Sequence, residues 1–143
     1  MGVIVGPRVI DAGLSLVKVL LAPVAVAAGY PSPAQDYFDG RIDLNEHLIK
    51  DVTSTFIVRV TGQSMEQAGI SDGDELIVNR ALEPKDGSVV VAVLDGELTI
   101  KRLRITAHGV VLQADNPDFP DIKVPALSDL SIWGVATRCL HYV

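Results

Sequence analysis

The feature that most constrains the fold of this chain is a series of short apolar runs separated by turns that end in glycine. The turns are Asp72-Gly73, Asp86-Gly87, Asp95-Gly96 and His108-Gly109. Pairs of this kind reverse the chain direction, and the runs between them are too short for typical helices. The chain is therefore predicted to be mainly β, with Asp95-Gly96 as a two-residue hairpin turn between residues 88–94 and 97–105.

Further strands are predicted on both sides of these turns. From Thr55 onward, Phe56, Val58 and Val60 alternate with Ile57 and Arg59 until residues 61–65 interrupt the pattern. Ser64 is therefore expected just beyond the end of a strand. Shorter runs at 76–78, 110–113 and 131–140 complete the set, and residues 114–121 are expected to form a loop.

The size and charge of the chain limit what it can do. A length of 143 residues allows one compact domain with a tail, and 48% hydrophobic residues favour a buried core. A net charge of -6, without a long run of basic residues, argues against direct sequence-specific DNA binding. The lone Cys139 cannot form an internal disulfide, which fits a reducing compartment.

The N-terminal part is expected to differ from the β-rich remainder. Residues 14–28 are apolar and resemble a signal peptide ending in small residues, but Lys18 and Pro23 interrupt them, so a cytoplasmic location is favoured. Residues 1–28 are predicted to form an arm, 29–50 a linker and packing segment, and 51–143 the β-rich domain. Within the linker, residues 36–50 could form a short helix or a loop.

Two side chains could carry out chemistry together. Strand alternation places Thr99, Lys101, Leu103 and Ile105 on one face, so Lys101 shares its side with apolar residues. Burial among such residues lowers the pKa of an amine and makes it a base near neutral pH, whereas an arginine stays protonated. Ser64 is the candidate nucleophile for this base. Taken alone, each residue is more simply interpreted as an ordinary strand lysine or an ordinary turn serine.

Other chemistries have weaker support in the sequence. A Ser-His-Asp triad would need His47, His108 or His141, none of which lies in a recognisable motif. Cys139 and His141 could share a strand face, but without further ligand motifs a metal site is not expected, and Cys139 is interpreted as a core residue. The acidic residues 72–75 lack the spacing of a calcium loop and are expected to form a turn. No metal and no cofactor are predicted.

Several ordered segments resemble the self-cleaving peptidases of the UmuD and LexA type. The segments Gly62-Gln63-Ser64-Met65, 69–74 and 95–101 are similar to the nucleophile, turn and lysine blocks of UmuD-type proteins. Residues 28–34 resemble the cleavage region of that family, and 41–45 the block that follows it. Residues 1–27 show no clear likeness. The 28 residues up to the cleavage bond are expected to be too few for a DNA-binding domain like that of a LexA repressor.

The resemblance implies a fold, a reaction and a set of partners. The fold would be a compact LexA/UmuD-like peptidase fold of short, strongly bent antiparallel strands with an extended N-terminal arm. Ser64 would attack the Ala28-Gly29 bond, Lys101 would act as base, and the backbone amides of Ser64 and Met65 would form the oxyanion hole. The expected partners are a second copy of the chain, a RecA filament on single-stranded DNA and a UmuC-type translesion polymerase in the SOS response.

Two other functions remain open at this stage. The chain could be a dimeric regulator of a polymerase in which cleavage is incidental or absent. It could also be a membrane-tethered protease of the signal-peptidase type, which likewise uses a serine and a lysine. Mutation of Ser64 and membrane fractionation would separate these alternatives.

Overall fold

The computed structural model describes residues 3–9, 18–20, 26, 28–29, 41–125 and 129–143, with backbone only for 3–9, 18–20 and 41. These residues form two compact units. The first unit contains residues 1–11 and 51–143, and the second contains residues 12–50.

The first unit is built on an antiparallel sheet. Its strands are β1 (Val3–Val9), β4 (Thr55–Thr61), β5 (Glu75–Asn79), β6 (Val89–Leu94), β7 (Glu97–Thr106), β8 (Gly109–Gln113), β9 (Ile122–Lys123) and β10 (Leu130–Leu140). Their order across the sheet is β1-β4-β5-β10-β6-β7-β8-β9. The prediction of a mainly β chain is confirmed, because strands account for most of the regular structure in the described residues.

The hairpin between β6 and β7 forms as the sequence predicts. Leu94 pairs with Glu97 across the turn, and Val90 pairs with Lys101 further along the strands. Both turn residues have positive φ, with Asp95 at 49° and Gly96 at 83°. A two-residue turn of this twist needs residues that tolerate the left-handed region, which is why Asp-Gly forms it.

Both faces of the central strands are covered. Val91 and Ile100 belong to one buried cluster, whereas Val90, Ala92 and Leu103 belong to a second. Because consecutive strand residues point to opposite faces, the two clusters lie on opposite sides of the β6–β7 pair. A side chain in the middle of β7 is therefore buried whichever face it occupies. Lys101 is one of these buried side chains.

Two strands of this unit lie outside the predicted pattern. β9 has only two residues, too few for an alternating pattern to be visible, and it pairs with β8 just after the predicted loop. β1 pairs antiparallel with β4 through a register that shifts between Val5 and Pro7. Proline lowers the β-propensity of this run but is tolerated at the edge of a sheet, which is where β1 lies.

The second unit contains β2 (Lys18–Leu20), which pairs antiparallel with β3 (Arg41–Asp43), and a short helix, α1 (Leu44–Leu48). The choice left open for residues 36–50 is resolved in part as a strand followed by one helical turn. The carboxylate of Asp43 caps α1 by accepting a hydrogen bond from the amide of Asn45 at 2.9 Å. Residues 36–40 lie outside the described part.

The segment that resembles a signal peptide is described only at residues 18–20, 26 and 28. Its remaining residues, and residues 30–35 of the predicted extended path, lie outside the described part. Among the described residues, no helix has the length and apolar character needed to span a membrane.

Candidate active site

Ser64 lies in the turn that follows β4. Gly62 begins this turn with φ 92°, a value that suits glycine, and its amide donates to a carboxylate oxygen of Asp72 at 2.7 Å. The amide of Glu66 donates to the carbonyl of Gln63 at 3.3 Å, and a short 3-10 helix follows at Glu66–Ala68. The turn places the Ser64 side chain inward, where it is fully buried.

Lys101 approaches the same point from the middle of β7. Its Nζ lies 3.0 Å from Ser64 Oγ, 3.0 Å from Thr99 Oγ1 and 3.1 Å from the carbonyl oxygen of Ile100. Only 2% of Lys101 is exposed. Three acceptors match the three N–H donors of an ammonium group, so the charged form of Lys101 is fully hydrogen-bonded. Two residues predicted to act together are thus in direct contact.

The protonation of Lys101 is set by its burial. Desolvation lowers its pKa from 10.5 to about 8. None of the ion pairs formed by the described residues includes Lys101, so no carboxylate opposes this shift. At pH 7 a pKa of about 8 leaves roughly one amine in ten neutral, which is about 300 times the fraction of an unshifted lysine.

The neutral amine reverses the hydrogen bond with serine. Without its third proton, Nζ has a lone pair that can accept the hydroxyl hydrogen of Ser64 across the 3.0 Å contact. That distance lies within the range required for proton transfer between a nucleophile and its base. The pair is thus arranged to generate a serine nucleophile near neutral pH.

A loop at residues 114–119 connects the serine turn to the lysine strand. Asn116 Nδ2 donates to the carbonyl of Gln63 at 2.7 Å, and the carbonyl of Asp115 accepts from the amide of Gln67 at 2.8 Å. The carboxylate of Asp115 accepts from Nε and Nη2 of Arg102 at 2.8 and 2.7 Å. Arg102 directly follows Lys101. The loop therefore fixes the position of the serine turn relative to the strand that carries Lys101.

The sequence interpretation missed this connection. The sequence predicts a loop at residues 114–121, and nothing in their spacing indicates which side chain reaches Gln63. Strand alternation places Thr99 on the face of Lys101, but it does not predict that Thr99 accepts a hydrogen bond from Nζ. The available signal was its position two residues from Lys101 on the same strand face.

The predicted cleavage bond belongs to the second unit. Ala28 and Gly29 are exposed and lie in a bend, and a side chain added at Gly29 would meet no atom within 4 Å. Ala27 lies outside the described residues. Both residues of the bond are thus accessible to solvent.

Three other polar residues form a separate cluster around the buried Asp74. One oxygen of its carboxylate lies 2.6 Å from His141 Nδ1, and the other accepts from the Cys139 thiol at 3.2 Å and from the amide of Ser71 at 2.8 Å. Burial acts to raise the pKa of Asp74, but these hydrogen bonds outweigh it and hold the pKa below its usual value. Burial and the nearby Asp74 raise the pKa of Cys139 to about 12.

The structure also places the remaining candidate residues. Cys139 packs against a core cluster, in agreement with its interpretation as a core residue. The turn predicted for the acidic residues is found in part: Asp72 lies in it, Asp74 follows it and Glu75 begins β5. Asp72 and Asp74 accept hydrogen bonds from backbone amides. Among the described residues no group of His, Cys, Asp and Glu side chains could hold a metal ion. His47, His108 and His141 are all exposed.

Comparison with known proteins finds a matching family over most of the chain. A family model described as Peptidase S24-like matches residues 19–137. The chain belongs to the Peptidase S24-like family. This membership places it in a class of serine peptidases and confirms the resemblance to UmuD-type proteins.

Individual relatives cover most of the chain. Protein ImpA of Salmonella typhimurium is 40% identical over 114 residues, which are 80% of this chain and 77% of the relative. Protein MucA of Escherichia coli is 40% identical over 116 residues, which are 80% and 79% of the two chains. The LexA repressor of Delftia acidovorans is 42% identical over 130 residues, 90% of this chain but 58% of the repressor. The similarity thus spans little more than half of that repressor.

Proposed function

We propose that this chain is a serine endopeptidase that cuts its own Ala28-Gly29 bond, with Ser64 as nucleophile and Lys101 as general base. The observation that carries the proposal is the 3.0 Å contact between a buried serine hydroxyl and a buried amine whose pKa is about 8. Membership of the S24-like family and the exposure of Ala28 and Gly29 support it.

The reaction follows from the properties of these groups. Neutral Lys101 accepts the Ser64 hydroxyl proton while Oγ bonds to the carbonyl carbon of Ala28. The backbone amides of Ser64 and Met65 stabilise the negative charge on the carbonyl oxygen. The C–N bond then breaks, and the ammonium of Lys101 gives its proton to the amine of Gly29. Water, deprotonated by Lys101, hydrolyses the ester on Ser64 and restores the serine.

Cleavage would divide the chain into an arm at residues 1–28 and a shortened protein. In the shortened protein, residues 29–50 would act as linker and packing segment, and residues 51–143 as the peptidase domain. The shortened form would serve as accessory subunit of an error-prone, UmuC-type translesion polymerase in the SOS response to DNA damage. The similarity to ImpA and MucA supports this role. The chain would act as a cytoplasmic homodimer.

A RecA filament on single-stranded DNA would stimulate the reaction without supplying a catalytic group. The nucleophile and base already touch, so the remaining requirement is that the Ala28-Gly29 bond meets Ser64 Oγ. A partner that binds this arrangement better than others raises its population and therefore the cleavage rate. RecA would thus act on the arm and not on the dyad.

Mass spectrometry of the full chain at raised pH tests the proposal. We expect a fragment that begins at Gly29 in the wild type and none in Ser64→Ala or Lys101→Ala. Persistent cutting in either variant would reject the assigned roles. If uncut Ser64→Ala protein supports translesion synthesis as well as the wild type does, the chain is instead a non-catalytic polymerase regulator.

A further inference from the structure

The carbonyl oxygen of Gln63 is held by two donors. Asn116 Nδ2 donates to it at 2.7 Å, and the amide of Glu66 donates at 3.3 Å across the serine turn. Asn116 is 9% exposed, and its Oδ1 accepts from the amide of Asp118 at 3.0 Å. This second bond sets the orientation of the Asn116 amide group, because it requires the oxygen to face Asp118 and the nitrogen to face Gln63.

This carbonyl belongs to the same peptide unit as the amide N–H of Ser64. A trans peptide is planar, so its C=O and N–H point in opposite directions. The described residues contain no cis peptide bonds. A donor that fixes the Gln63 carbonyl therefore also fixes the direction of the Ser64 N–H. The same hydrogen bond polarises the peptide unit and makes its N–H a stronger donor.

The loop that carries Asn116 is itself anchored beside Lys101. Arg102 binds the carboxylate of Asp115, and a third nitrogen of Arg102 donates to the carbonyl of Gly87 at 2.6 Å. The carbonyl of Asp115 accepts from the amide of Gln67, on the other side of the serine turn. The position of Asn116 is thus set by the strand that carries Lys101 and by the turn that carries Ser64.

We propose that Asn116 is a positioning residue for the oxyanion hole, which it orients and polarises through the Gln63–Ser64 peptide. The inference rests on the proposed function, because it requires Ser64 to attack a carbonyl carbon. Its effect is distinct from that of Lys101. Asn116 acts on the charge that develops on the substrate oxygen, whereas Lys101 acts on the proton of the nucleophile.

The test compares self-cleavage rates of the full chain over a range of pH. Asn116→Leu removes both hydrogen bonds of the side chain, and Asn116→Asp removes the donor but keeps an acceptor for the Asp118 amide. Asp118→Asn is the matched control, because the Asp118 side chain is exposed in the same loop. Rates are compared on the plateau above the pKa of Lys101, where its amine is neutral in every variant.

We expect both Asn116 variants to lower the plateau rate by about 10- to 100-fold, less than the 10²- to 10³-fold typical of a deleted oxyanion donor, because the N–H itself remains. In Asn116→Leu the midpoint of the pH profile should stay near 8, as burial of Lys101 sets it. The control should cut at the wild-type rate. Rates are normalised to the folded fraction measured by circular dichroism.

A second measurement does not depend on cleavage. In the uncut Ser64→Ala protein, Asn116→Leu should shift the amide 1H and 15N resonances of residue 64, because the carbonyl of its peptide unit loses a donor. Unchanged resonances would contradict the proposal. Wild-type plateau rates in both Asn116 variants would overturn it while leaving the proposed function intact. A wild-type chain that is never cut would overturn the proposed function, and this inference with it.

Discussion

Lys101 and Asp74 are both ionisable, both almost fully buried, and yet in opposite situations. Lys101 is 2% exposed and contacts two hydroxyls and a carbonyl, and none of the ion pairs in the described residues includes it. Asp74 is 3% exposed and accepts from an amide and a thiol while it contacts an imidazole. Burial lowers the pKa of Lys101, whereas for Asp74 burial is the largest single influence but is outweighed by the combined effect of its hydrogen bonds.

The difference shows which buried ionisable group is suited to catalysis. A base must be able to lose its proton near neutral pH, which burial without a counter-charge achieves for Lys101. A structural anchor must keep its charge, and its donors keep Asp74 ionised. Burial by itself therefore does not indicate an active site. The neighbours that oppose or support the charge decide between the two roles.

The largest expected effect comes from replacing Lys101 with arginine, whose side chain cannot lose its proton and so cannot act as a base. Lys101→Arg should lower self-cleavage by more than about a thousandfold at any pH between 6 and 10, because guanidinium stays protonated. Quantitative mass spectrometry of the Gly29 fragment measures the rate. Lys123→Arg is the control, since Lys123 is exposed on β9, and it should cut normally. Cleavage at the wild-type rate in Lys101→Arg would show that Lys101 is not the base, and the contrast with Asp74 would then fail.

The stability of the fold should show the cost of the buried amine. The pKa of Lys101 is lower in the folded protein than in the unfolded chain, so the folded state binds fewer protons between pH 8 and 10.5 and gains stability as pH rises through that window. At pH 7 a pKa shift of this size lowers the free energy of unfolding by about 3 kcal/mol.

Lys101→Met in a Ser64→Ala background should therefore raise the free energy of unfolding at pH 7 by about 2 to 3 kcal/mol, with the gain shrinking toward pH 10.5. Urea unfolding of the single and double variants at several pH values measures it. A stabilisation that does not depend on pH would show that packing, and not the charge of Lys101, is responsible.

Asp74 should behave in the opposite way. Asp74→Asn should lower the free energy of unfolding by about 1 to 3 kcal/mol at neutral pH, since a buried charged acceptor with several donors is lost. Its folded pKa is lowered, so the wild-type contribution is present above pH 3.8 and is lost as pH falls through the folded value. The measurement is thermal unfolding of Asp74→Asn, with Asp118→Asn as the control. Equal stability of the two variants at neutral pH would contradict the anchoring role.

The smallest effect is expected at Thr99. Its hydroxyl accepts from Lys101 Nζ at 3.0 Å and so favours the charged amine. Thr99→Val keeps the shape but removes the acceptor, which should lower the midpoint of the cleavage pH profile by about half to one unit. A midpoint that rises instead would show that Thr99 acts on the site in another way.

The sequence predicted the parts of the molecule that depend on local patterns. The alternation in β4, the Asp95-Gly96 turn and the placement of Lys101 on the Thr99 face follow from strand periodicity and turn chemistry. The contact of Asn116 with Gln63 could not be predicted, because it joins residues far apart in sequence through a loop without periodicity. The pairing of β1 with β4 is also long-range, and Pro7 within β1 masked its pattern.

The most direct test of the account is the pKa of Lys101 itself. Lysine labelled with 13C at Cε allows the amine to be titrated by NMR in the uncut Ser64→Ala protein, with Lys101→Met providing the assignment. We predict a midpoint of about 8 or lower, because burial without a counter-charge lowers the pKa and Ser64→Ala removes one acceptor of the ammonium. A midpoint at or above 10.5, the ordinary value for a lysine, would contradict the claim that this amine serves as a base near neutral pH.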